Sequence, residues 1–201
     1  MNPERADSSA PGVRAPFRPG LALVGYRGTG KTSVGRLLAE RLGWQFADAD
    51  HEVEARAGRT IAAIFAEDGE PAFRDLEQAV IAEVVDRDRT VISTGGGAIV
   101  REANRRAIRS VGFVAWLTAD PETLGRRLAR DAARRDARPA LTPAGSIGEI
   151  AEVFAARVAY YREVSTFEVE TAGRSPHEVA GAVLRAWQKS GAGVVTGEGW
   201  R

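Results

Sequence analysis

Lys31 is one of only two lysines in a chain with 28 basic residues, and it sits in the octet Gly25-Tyr26-Arg27-Gly28-Thr29-Gly30-Lys31-Thr32. Arginine has taken almost every other basic position. A lysine kept inside a glycine-rich run therefore points to a chemical requirement rather than a surface charge. The octet fits G-x-x-x-x-G-K-[ST], the phosphate-binding loop or P-loop. Glycines let successive backbone N–H groups face one centre, and the helix N-terminus behind them adds partial positive charge. Gly28, Thr29, Gly30 and Ser33 line such a cradle. The Lys31 ammonium reaches the β- and γ-phosphates, and the Thr32 hydroxyl is placed to ligate Mg²⁺.

That chemistry needs a strand, a loop and a helix in succession. The apolar run 21–24 reads as a buried parallel strand, and 31–42 carries apolar residues at helical spacing. Further strands are predicted near 45–47, 90–93, 113–117 and 167–169. Helices are predicted near 61–67, 71–85, 101–108, 121–130, 147–161 and 176–188. Alternation of strands with helices predicts an α/β fold, a parallel sheet covered on both faces.

Composition narrows the classes. The 201 residues suit one domain, and 44% hydrophobic with 27% charged residues is ordinary for a globular protein. A net charge of +1 gives no global attraction to nucleic acid or to a membrane surface. The absence of cysteine removes disulfides, thiolate metal sites and a cysteine nucleophile. No apolar stretch approaches a membrane span. Residues 1–19, rich in Pro, Ser, Ala and Arg, read as a disordered tail, and 190–201 as a glycine-rich flexible tail. A cytoplasmic, monomeric protein acting on small molecules is the expectation. His51 and His177, being isolated, read as solvent or cap residues.

Several further segments, in order, make the chain resemble shikimate kinase. They are Phe46-Ala47-Asp48-Ala49-Asp50, Gly58-Arg59-Thr60-Ile61, Ile64-Phe65, and Gly69 through Glu77. Ser93-Thr94-Gly95-Gly96-Gly97, Arg138-Pro139 and Arg157-Val158-Ala159-Tyr160-Tyr161 complete the series. The resemblance runs from about residue 21 to residue 187. It implies a P-loop NTPase fold of the nucleoside-monophosphate-kinase type over 20–189, with an arginine-rich lid at about 126–145. It also implies phosphorylation of the shikimate 3-hydroxyl by ATP with Mg²⁺.

The resemblance assigns roles as well. Asp48 helps hold Mg²⁺, and Asp50 binds the substrate hydroxyl and is the candidate base. Alternation along an extended segment would put both carboxylates on one side; the alternative for Asp50 is a cap on a helix starting near His51. Arg74, Arg157 and Gly95, Gly96 and Gly97 form the shikimate set, a guanidinium being the natural bidentate partner of a carboxylate. Glu77, about one turn beyond Arg74, is placed to orient it. Arg138 is the lid arginine that approaches the phosphates, Arg127 flanks the adenine, and Arg174 and Pro176 belong to the adenine loop. The strand 90–93 ends without the aspartate usual in nucleoside triphosphatases, which puts more of the metal binding on Asp48 and Thr32. Two rivals stand beside this reading: a kinase of another small metabolite such as gluconate, and a nucleotide-binding regulator without catalysis.

Overall fold

The structure, a computed structural model, describes residues 20–134 and 147–192. Arg138, most of the expected lid and the tail 1–19 lie outside the described residues, as does 193–201 of the second tail. Five strands form one parallel sheet: β1 (Gly20–Val24), β2 (Gln45–Asp48), β3 (Thr90–Ser93), β4 (Val114–Thr118) and β5 (Phe167–Glu170), in the spatial order β2-β3-β1-β4-β5. Eight α-helices connect and cover them within the described residues. They are α1 (Lys31–Leu42), α2 (Ala49–Ala57), α3 (Ile61–Glu67), α4 (Gly69–Val84), α5 (Glu102–Ser110), α6 (Pro121–Arg134), α7 (Ile147–Val164) and α8 (Pro176–Lys189).

Alternation along β1 sends its side chains into two cores. Leu21 and Leu23 pack with Val34 and Leu38 of α1 and with Val179, Val183 and Trp187 of α8. Ala22 and Val24 face the other way, toward Val80 and Ile81 of α4, Ile108 of α5 and Tyr161 of α7. Burying each large apolar side chain contributes about 1.5–3 kcal/mol, so these two layers hold the sheet in register. Trp116, in the centre of β4, stacks on Tyr161 with ring centroids 5.5 Å apart.

The strand and helix expectations hold with ends moved by a few residues. The exception is α2, which sequence reading reduces to a helix start near His51. It buries only Ala49 and Val53, too few apolar positions for a visible period. Its presence corrects one expectation. Asp48 ends β2 and Asp50 lies in the first turn of α2, so the two acids do not share a strand face. The cap is Asp48, whose Oδ1 accepts the Asp50 N–H at 3.2 Å.

Parallel strands bring all their C-terminal ends to one edge, where such sheets bind ligands. The chain leaves β1 through Gly25, whose φ is +145°. A Cβ there would sit 2.3 Å from the Leu117 carbonyl oxygen of β4, so only glycine fits.

Candidate active site

The P-loop runs from Gly25 into α1, which it enters through Gly30 in the left-handed conformation. The loop fastens itself: the Thr29 hydroxyl donates to the Tyr26 carbonyl at 2.8 Å. Lys31 is 8% exposed, and its Nζ donates to the carbonyls of Gly25 (2.8 Å) and Tyr26 (2.9 Å). Its pKa is lowered to about 8, chiefly by burial and in smaller part by Arg27, against the pull of Asp50 and Asp48. A phosphate entering the cradle offers the ammonium a full negative charge in place of two carbonyls.

Beside it the Thr32 hydroxyl donates to Asp48 Oδ2 at 2.8 Å. These hard oxygen donors suit Mg²⁺. Among the described residues no group of three or more His, Asp or Glu side chains could hold a metal by itself. A cation here would share its coordination with phosphate oxygens.

Across from the P-loop, α4 and the loop after β3 build a second set. Arg74 Nη1 donates to Glu77 Oε2 at 2.8 Å, while Nε and Nη2 donate to Glu70 Oε1 at 3.1 and 2.9 Å. Glu77 is 2% exposed, and burial raises its pKa against the pull of Arg74, with Asp50 adding to the rise. The glycines are small because charged groups crowd them. A Cβ on Gly95 would lie 2.7 Å from Asp50 Oδ1 and 2.8 Å from Glu77 Oε1. One on Gly97 would lie 2.7 Å from Arg74 Nη2. Asp50, Glu77, Arg74 and the triple glycine thus meet in one place. The absence of side chains on Gly95 and Gly97 leaves room for these charged groups.

From α7, Arg157 Nη1 donates to the Gly96 carbonyl at 3.3 Å and its guanidinium stands 6.0 Å from the centre of the Tyr26 ring. Tyr161, one turn on, donates its hydroxyl to the same carbonyl at 2.7 Å. It is fully buried, which pushes its phenol pKa up and keeps it a donor. Sequence reading gave Tyr161 no role, although its i+4 spacing from Arg157 puts both on one face.

On the nucleotide side, Arg127 of α6 donates to the Gly28 carbonyl (3.1 Å), the Thr171 hydroxyl (2.9 Å) and the Thr171 carbonyl (2.7 Å). It ties the P-loop to the turn after β5. Thr171 also escaped sequence reading, because no local motif marks it. The same turn carries Arg174, whose N–H reaches the Thr171 carbonyl. Ser175 then caps α8 in a capping box with Glu178, and Pro176 opens the helix. Both Arg174 and Pro176 are exposed at the mouth of this side, as Ser33 is on α1.

A phosphate cradle beside an acid and fixed arginines, on a parallel sheet with β1 at its centre, defines a P-loop phosphotransferase acting on a small anionic acceptor. Comparison with known proteins specifies it. Residues 27–188 match the model of the family described as shikimate kinase. Shikimate kinase of Symbiobacterium thermophilum is 45% identical over 171 residues, covering 85% of this chain and 97% of that one. The Caulobacter vibrioides enzyme is 46% identical over 171 residues, covering 85% and 82%. The solved shikimate kinase of Acinetobacter baumannii, in complex with shikimate, superposes with a TM-score of 0.75 at 36% identity, covering 86% and 94%. A gluconokinase of Sinorhizobium meliloti shares the fold at a TM-score of 0.57 and 20% identity. The chain belongs to the shikimate kinase family.

Removing either substrate arginine should separate the two substrates. If Arg74 and Arg157 hold the acceptor's carboxylate, Arg74→Ala and Arg157→Ala each delete a charge-assisted contact worth about 1.5–3 kcal/mol, or roughly tenfold and more. Steady-state kinetics should show KM for shikimate rising by that factor while KM for ATP stays within about twofold. Unchanged shikimate binding in both variants by calorimetry would place the acceptor elsewhere.

Proposed function

We propose that the protein transfers the γ-phosphoryl group of ATP to the 3-hydroxyl of shikimate, giving shikimate 3-phosphate and ADP for the synthesis of chorismate and the aromatic amino acids. The observation that carries this reading is the meeting of Asp50, Arg74, Glu77 and Gly95–Gly97 at the edge of the P-loop. The sugar-like acceptor needs a base at its hydroxyl and a cation at its carboxylate, and both stand there.

The acceptor oxygen forms a bond to the γ-phosphorus as the bond from that phosphorus to the β–γ bridging oxygen breaks, and ADP leaves with the electron pair. The hydroxyl proton passes to the Asp50 carboxylate, which first draws the hydroxyl into line. Arg74, braced by Glu77 and Glu70, and Arg157 hold the substrate carboxylate. Lys31 neutralises charge on the β- and γ-phosphates, so catalysis is mostly positioning and electrostatic stabilisation. Mg²⁺, held through Thr32 and Asp48, supplies further neutralisation of the phosphates when bound. Arg127, Arg174 and Pro176 flank the adenine. Arg138, outside the described residues, is assigned to the phosphates in the closed state. The protein works as a monomer in the cytoplasm, where ATP is supplied.

A coupled assay of ADP release with shikimate, gluconate and nucleoside monophosphates tests the reading. Shikimate alone should sustain turnover. Turnover with gluconate instead would transfer the site to another acceptor, and none with any acceptor would favour a regulator.

The pH dependence should carry the signature of Lys31. Its amine is charged below about 8 and neutral above. In the free enzyme kcat/KM for ATP should therefore fall by roughly tenfold per pH unit above that value. Bound triphosphate favours the ammonium and should carry the kcat limb to higher pH. A kcat/KM for ATP flat from pH 7 to pH 10 would remove Lys31 from the binding step.

A further inference from the structure

Arg27 lies within the P-loop, at a position where the motif allows any residue. Its side chain is exposed, and among the described residues no ion pair engages it. One observation fixes where it stands. A Cβ on Gly96 would lie 3.1 Å from Arg27 N and 3.3 Å from Arg27 Cγ, so the stem of Arg27 runs along the middle glycine of the acceptor loop. Arg27 thus lies between the donor cradle and the acceptor loop. Among the described residues, ten other arginines pair with carboxylates or hold backbone carbonyls, as Arg127 and Arg157 do, and Arg27 does neither.

We propose that Arg27 is a second cation of the P-loop, which binds the γ-phosphoryl group as it passes from ATP to the acceptor hydroxyl. This rests on reading the site as an ATP:shikimate phosphotransferase. The transferring group spreads negative charge over its three equatorial oxygens. Lys31 approaches from the loop's interior, and Arg27 from the side that faces Gly96. A guanidinium held by its stem at that seam needs little reorganisation to meet the group in flight, and a planar fork suits two of its oxygens. Its effect belongs to the reacting state, so it acts on kcat more than on ground-state affinity.

The test compares wild type, Arg27→Met and Arg27→Lys in full-length protein. Met keeps the apolar stem against Gly96, and Lys restores the charge without the fork. Arg27→Met should keep the melting temperature and hold KM for shikimate within about twofold, while kcat falls by about tenfold or more. Arg27→Lys should recover part of that loss. Full kcat in Arg27→Met, or a loss confined to KM for shikimate, overturns the assignment. Wild type without shikimate-dependent ADP release would instead overturn the functional reading, so the two failures are distinct.

Discussion

Asp50→Asn should reduce kcat/KM for shikimate by about 10²-fold or more while ATP affinity and melting temperature stay at wild-type values. The amide keeps the size of the side chain. It does not disturb the cap of α2, which is supplied by Asp48 accepting the backbone N–H of residue 50. ATP binding is assigned to Lys31, Thr32 and loop N–H groups; the substitution removes one charge that holds the Lys31 pKa up, so ATP affinity is compared at a pH where that amine stays charged. What disappears is the proposed proton acceptor and the charge assigned to aligning the hydroxyl. Crowding makes the test clean, since Gly95 leaves the carboxylate only the space of a missing Cβ and an isosteric amide occupies the same space. Wild-type activity in this variant would reduce Asp50 to a structural acid and leave the acceptor site without its base.

Lys31→Ala should likewise lower kcat by about 10²-fold or more, since the charge developing on the phosphoryl group loses a fixed cation. Here ATP affinity should fall too, because the same ammonium meets the ground-state phosphates. The fold should tolerate the change. Burial of this amine lowers its pKa, so its charge is held at greater cost than in water, and two loop carbonyls are all that it satisfies. Near-normal turnover would sink the P-loop assignment, and a joint measurement of Tm separates lost chemistry from lost fold.

What sequence reading could reach depended on whether function was written locally. The octet 25–32 is contiguous, so the cradle and its lysine were legible before any coordinates. The parallel sheet was legible because β1 and β4 are largely apolar runs and β3 carries Val91 and Ile92, all three strands being buried on both faces. Arg74 with Glu77 is a one-turn pair on α4, and was legible for the same reason. Tyr161 and Thr171 were not, since their roles rest on bonds to Gly96 and Arg127 that span 65 and 44 positions. Asp50 was assigned through the family resemblance, and the strand alternation offered beside it does not exist. The turn of α2 brings it in, and α2 is short and mostly polar on its outer face, so its period is faint.

The spatial order of the strands has an evolutionary consequence. With β1 in the middle, the groups assigned to the acceptor follow β2 and β3 on one flank, and those assigned to adenine follow β4 and β5 on the other. The two halves of the reaction are therefore encoded in separable stretches of gene, joined by the shared P-loop. Among the described residues, one element crosses the divide: α7, following β4, reaches over to clasp Gly96 through Arg157 and Tyr161. A lineage, or an engineer, seeking a new acceptor on an unchanged ATP site would rewrite residues 45–98 and two positions of α7, and leave the adenine flank untouched.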